Sequence, residues 1–200
     1  MSSAARPAGR PRSMKAERAI IEATLDMMGE GLSVSDLSIE AVAARAGVGK
    51  TTIYRRWAGK EDLIVDALAS LKAPMPPLAG VSVRDDLITY LTATMRESTE
   101  GRTRCIVTMA MGEAPRYPEM AARFRQIAIE PRRAAVRALL QRGIESGELR
   151  PDADVELAMS MLSGTMMWMT RWPVTDGEPV DEELPARIVD MVLTGLAPRS

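Results

Sequence analysis

Lys50, Arg55 and Arg56 supply three cations, and Thr51, Thr52 and Tyr54 three hydroxyls, within seven consecutive positions. Side chains of these types donate hydrogen bonds to phosphate oxygens and to the acceptor edges of bases, lysine and arginine to guanine above all. The stretch is therefore suited to holding a polyanion. Catalysis by proton transfer or by a metal is poorly served: the chain has no histidine and one cysteine, Cys105. That composition leaves no imidazole base, no His-ligated zinc, no intrachain disulfide and no multi-cysteine metal site. Glu113, Glu119 and Glu130 match no di-metal carboxylate spacing, since no histidine follows three residues on. Gly49-Lys50-Thr51 looks like the end of a nucleotide-binding loop, but the earlier glycine such a loop needs is Ala44 here, and no strand precedes it. Neither an enzyme, nor a cofactor, nor a metal site is expected.

The elements that must position these side chains can be read next. Ser38 can cap a short helix whose alanines at 41, 43, 44 and 46 let a second helix cross closely. Gly47 permits the positive φ that a tight turn needs, and Val48 plugs the corner. The second helix, expected over 49–57, then points Lys50, Thr51, Thr52, Tyr54, Arg55 and Arg56 outward while Ile53 and Trp57, four apart, face back into a core. A helix-turn-helix of this kind lays its second helix in the major groove, where its N-terminal N–H groups also favour a phosphate. Charge agrees: residues 1–60 hold 10 Lys and Arg against 6 Asp and Glu, a net +4, and the remainder holds 16 against 21, a net −5. Residues 1–12 form a basic, Pro- and Gly-containing tail, expected to be disordered, whose Arg12 could reach a DNA groove.

Residues 20–68 resemble the N-terminal pattern of the TetR family. The match runs from Ile20-Ile21-Glu22-Ala23 through Ala43-Ala44-Arg45-Ala46-Gly47-Val48 and Thr52-Ile53-Tyr54-Arg55-Arg56-Trp57 to Lys60-Glu61-Asp62-Leu63. The resemblance implies a three-helix DNA-binding domain joined by a fourth helix to a helical ligand-binding and dimerisation domain. It further implies that Lys50, Thr51 and Thr52 meet bases or phosphates and that Tyr54 touches a phosphate. Lys60 and Ser38 would hold the DNA backbone from the starts of their helices. Gly49 stands where serine is commoner, losing a capping hydroxyl and leaving one phosphate contact in question, and Trp57 stands where phenylalanine is commoner.

Elsewhere apolar residues recur at helical spacing and no segment alternates as a strand would, so an all-α chain of about nine helices is expected. It divides into the arm 1–12, a helix-turn-helix domain 13–72 and, after Pro74-Met75-Pro76-Pro77, an antiparallel helical bundle over 78–200 for ligand binding and dimerisation. A helix from about 153 to 172 carries two apolar stripes, one through Val155, Met159, Leu162, Met166 and Met169 and one through Leu157, Met161, Gly164, Trp168 and Trp172. Apolar nearly all round, it should be buried on both sides, one of them against a second copy. Met161, Trp172, Ile188, Met191 and Val192 are the candidate dimer contacts. The 15 methionines, five of them between 159 and 169, suggest an adaptable apolar pocket lined by Met109, Met111, Phe124, Met159, Met166 and Trp168.

With no signal-like segment and no apolar run near the roughly 20 residues that span a bilayer, a cytoplasmic protein with no membrane partner is expected. The function expected is that of a regulator, a repressor released from a palindromic double-stranded DNA operator by a small apolar effector and acting as a homodimer. The alternative is an architectural DNA-binding protein without a ligand.

Overall fold

The computed structural model describes residues 10–171 and 181–196. Every regular element among them is helical: α1 (Arg10–Gly29), α2 (Ile39–Ala46), α3 (Lys50–Tyr54), α4 (Lys60–Ser70), α5 (Val83–Thr99), α6 (Gly101–Gly112), α7 (Pro118–Phe124), α8 (Glu130–Ser146), α9 (Val155–Arg171) and α10 (Leu184–Leu196). A π-helical turn, Arg125–Ile129, joins α7 to α8, so 118–146 is one unbroken helical run and the all-α architecture of about nine helices stands. The π turn has a cause in sequence. Pro131 has no N–H to give Ile127, four residues back, and its ring crowds that carbonyl, so the turn before it must hydrogen-bond differently.

The chain forms two compact units, one of residues up to Leu71 together with Ile106–Phe124, the other of Lys72–Cys105 and the residues from Arg125 onward. The return of 106–124 to the first unit departs from a simple division into consecutive domains. So does the start of α1, which takes in Arg10 to Arg12 of the expected arm.

In the first unit α1 packs on α2 and α4, α2 on α3, and α4 on α7. Ile20, Met28, Val42, Ile53, Leu63, Ile64 and Leu68 are fully buried there. Ser38 caps α2, its hydroxyl accepting from the Ala41 amide at 3.2 Å. Gly47 ends α2 at φ 65°. Its N–H donates to Ala44 O at 3.3 Å and that of Val48 to Ala43 O at 3.0 Å. That double bond pattern closes the helix and needs a residue at ease with positive φ. The third helix is shorter than expected, ending at Tyr54. Beyond it the Arg56 and Trp57 amides both donate to Ile53 O, at 2.8 and 3.0 Å, a tightened last turn.

In the second unit α5, α8, α9 and α10 share one apolar core built from Leu87, Tyr90, Leu91, Met95, Leu139, Leu140, Met159, Leu162, Met166, Ile188 and Val189, among others. Ser82 caps α5 as expected, accepting from the Asp85 amide at 3.0 Å and donating to that carboxylate at 2.8 Å. The next residue, Asp86, is buried; it accepts from the Gly80 amide and, at 2.6 Å, from Arg142 on α8, the pairing a buried carboxylate requires. No helix among the described residues is long and apolar enough to cross a membrane.

Candidate nucleic-acid interface

Because Gly47 turns the chain, α3 crosses α2 with Ile53 buried on its inner side, and Trp57 follows it into the core. The indole N–H of Trp57 donates to Asp66 on α4 at 2.8 Å. A phenylalanine could not make that bond, which gives the departure at 57 a structural reason. The opposite side of α3 is open: Gly49, Lys50, Thr51, Tyr54 and Arg55 are exposed, and Thr52 is half-buried. Gly49 begins the helix without a side-chain cap, as its type dictates.

Two of the cations have partners within the fold. Arg56 is turned inward, its side chain 14% exposed, with Nε 3.3 Å from Glu17 of α1 and one terminal nitrogen 3.3 Å from Thr52 O. It ties the recognition helix to α1 rather than facing outward. Lys60 directs its ammonium at the loop before α2, donating to Ser35 O at 3.0 Å and Leu37 O at 3.2 Å. That loop leads into Ser38, which is half-buried and whose oxygen already serves the helix cap. The side chain of Arg12 lies outside the described residues.

Three acidic residues meet the cations of this face. Glu40, in the first turn of α2, sits 2.8 Å from Lys50. Their hydrogen bond lowers the Glu40 carboxyl below its ordinary range and raises the Lys50 ammonium above its own. Glu30 pairs with Arg45 at 2.5 Å and shifts with it in the same sense. Glu17 holds Arg56. Sequence alone gives little sign of these pairs, because each spans a turn or two helices. The one local hint is the pairing of opposite charges at 30 and 45 and at 40 and 50, which any basic segment could contain by chance.

The loop 33–37 is also held from the other side. The Val34 amide donates to Glu113 at 3.2 Å and Tyr117 shares a 3.1 Å hydrogen bond with Ser35. The other Glu113 oxygen is buried without a hydrogen-bond partner. Asp62 of α4 pairs with Arg123 of α7. The segment 106–124 is therefore stitched to the helix-turn-helix by polar contacts as well as by Ile106, Ala110, Met120 and Phe124 in the core.

The pocket residues proposed from methionine density divide between the two units. Met109 and Met111, half-buried, and Phe124, buried, belong to the first unit, whereas Met159 and Met166 are buried in the core of the second. Trp168 is 60% exposed and lines no part of that core. The reason is angular: Met159, Leu162 and Met166 claim the inward side of α9, and Leu157, Met161 and Trp168, on the other stripe, face out. Met161, Ile188, Met191 and Val192 line one open, mainly apolar groove of about 700 Å³ between α9 and α10, together with Arg187 and Asp190 among others. Trp172 lies outside the described residues.

Residues 20–67 match the model of bacterial regulatory proteins of the tetR family, and residues 77–192 match the tetracyclin repressor-like C-terminal domain. The uncharacterized HTH-type transcriptional regulator YdeS of Bacillus subtilis is 31% identical over 163 residues, covering 80% of each chain. The DNA-binding transcriptional repressor TetR of Mycobacteroides abscessus is 29% identical over 160 residues, 78% of this chain and 80% of that one. Among solved structures, the flavonoid-responsive regulator FrrA superposes with a TM-score of 0.71 at 18% identity, covering 94% of this chain and all of its own (100%). The regulator FadR of Bacillus subtilis, solved with stearoyl-CoA, gives 0.67 at 18%, over 90% of this chain and 98% of that one. A helix-turn-helix with an open cationic face, two matching family models and relatives of the same length converge: this chain belongs to the TetR family of DNA-binding transcriptional regulators.

Proposed function

We propose that the protein is a repressor that grips a palindromic operator as a homodimer, one α3 per major-groove half-site, and lets go when a small apolar effector binds its second unit. The observation that carries this reading is the sidedness of α3: Lys50, Thr51, Tyr54 and Arg55 are exposed together while Ile53 on the reverse is fully buried. A helix so arranged can enter a groove without disturbing its own core.

A second copy is supported by the apolar face of α9 and α10. Leu157, Met161, Trp168 and Met191 are 57, 47, 60 and 78% exposed, beside the groove that Met161, Ile188, Met191 and Val192 line. Chains that stay single seldom leave so much contiguous apolar surface in water. Two-fold pairing would cover it and set two recognition helices on one face of a duplex. Release by an apolar effector is supported by the core of the second unit, which Met95, Met159 and Met166 share with Tyr90. Methionines repack at low cost around a guest. Neighbours of the same fold include a flavonoid-responsive regulator and one solved with stearoyl-CoA. The effector need only favour the non-binding arrangement by about 1–3 kcal/mol.

Selection of bound sites from random duplex DNA, repeated with flavonoids and long-chain acyl-CoAs, tests the reading. The expected outcome is an inverted repeat carrying two chains and a ligand-dependent loss of affinity. Single chains on unrelated sequences, insensitive to every compound, would instead mark an architectural DNA-binding protein.

A further inference from the structure

We propose that Glu40 is a specificity-determining residue of the DNA face, which with Lys50 reads one G·C pair in each half-site: Lys50 the guanine, Glu40 the amino group of its cytosine. The inference rests on the reading that α3 enters the major groove.

The two side chains form a donor beside an acceptor. Lys50 Nζ lies 2.8 Å from Glu40 Oε1, and both side chains are more than half exposed, at 54 and 60%. Lys50 opens α3 and Glu40 sits in the first turn of α2, so the pair bridges the two helices of the motif on its open side. Folding gives little reason for such a pair, because an exposed lysine–glutamate contact adds almost nothing to stability. Binding to phosphate gives a reason against it: a carboxylate repels the polyanion and draws the Lys50 ammonium toward itself. Base edges are where it gains. In the major groove guanine offers two adjacent acceptors, N7 and O6, and cytosine beside them offers the N4 amino donor. An ammonium next to a carboxylate complements that row. An A·T pair puts its donor between two acceptors, so a carboxylate held at the far side of the ammonium would face an acceptor. Glu40 thus acts twice, rewarding one base pair and penalising contacts that carry no sequence information.

The full-length wild type, Glu40→Ala, Glu40→Gln and Lys50→Ala are compared by selection from random duplexes and by titration at several salt concentrations. Wild type should demand G·C at one symmetric position of each half-site. Glu40→Ala should lower that preference roughly tenfold, bind random duplex more tightly and steepen the salt slope by about one as Lys50 turns to phosphate. Glu40→Gln, which offers a donor as well as an acceptor, should relax the same position only in part. Lys50→Ala should relax that position too, and adding Glu40→Ala to it should change little, since the two act as a unit. Thermal unfolding of the Glu40 variants should match wild type, separating the effect from folding. If wild type selects inverted repeats and Glu40→Ala selects the same ones with the same ratios at every position, the proposal is overturned and the major-groove reading survives. If wild type selects no sequence, both are overturned.

Discussion

At the scale of single residues, the cations of the helix-turn-helix divide into those aimed outward and those engaged within the fold. Lys50 and Arg55 are aimed outward; Arg56 and Lys60 are held by Glu17 and by the carbonyls of Ser35 and Leu37. The division changes what a familiar substitution should do. A lysine gripping phosphate would, when removed, lower the salt slope by about one. Lys60 instead joins α4 to the loop that precedes Ser38. Lys60→Ala should therefore cost about 1.5–3 kcal/mol of stability, the worth of hydrogen bonds from a charged group, and weaken DNA binding with the salt slope unchanged. Urea unfolding and binding titrations across salt concentrations measure both, and a slope that falls by about one with unaltered stability would return Lys60 to the DNA backbone.

At the scale of elements, the second unit depends on how closely α8 approaches α5. A Cβ built on Gly143 would lie 2.6 Å from Val83 Cγ2 and 3.0 Å from Leu149 Cδ1. In an unobstructed helix, alanine in place of glycine is stabilising by about 0.5–1 kcal/mol. Here the added methyl meets a β-branched side chain that is itself 1% exposed. Gly143→Ala should reverse the usual sign and destabilise by about 1–3 kcal/mol, the range for overpacking a filled core. A rise in the unfolding midpoint would mean that the two helices are not in contact at that point. The buried Asp86 lies just along α5 from Val83, with Arg142 adjacent to Gly143 on α8, so the close approach and the charged pairing act on the same pair of helices.

At the scale of the whole molecule, the proposal that the exposed side of α9 and α10 carries assembly can be tested directly. Met161 and Met191 both line the groove and both face water on the single chain. A glutamate at either position is harmless to the fold of one chain but buries an unpaired charge between two. Met161→Glu and Met191→Glu should keep the helical circular dichroism of wild type, sediment as single chains, and lose about 100-fold or more in operator affinity, because the second half-site no longer adds to the first. Either variant remaining a dimer of full affinity would place the interface elsewhere.

Much of this protein is settled by interactions between near neighbours in the chain, and those are legible in the residues themselves. Ser38 and Ser82 as caps, Gly47 as the turn, Ile53 and Trp57 as the inward-facing pair in and just after α3, and the two stripes of α9 each depend on spacings of three to five residues. Helical geometry converts such spacings directly into faces. Choosing between faces is another matter. Sequence gives α9 two apolar stripes of similar strength, and only the packing of α5, α8 and α10 decides that Met159, Leu162 and Met166 go inside while Trp168 goes out. The same holds for charge. Whether a lysine or arginine is available to DNA depends on whether the fold turns it inward onto a carboxylate or carbonyl distant in the chain, as Arg56 is onto Glu17 and Lys60 onto Ser35, or leaves it exposed even when paired, as Lys50 is beside Glu40. The chain by itself determined its helices and the motif that names its family; the tertiary structure alone decided which cations and which apolar stripe are left for partners, because availability is a property of what lies close in space.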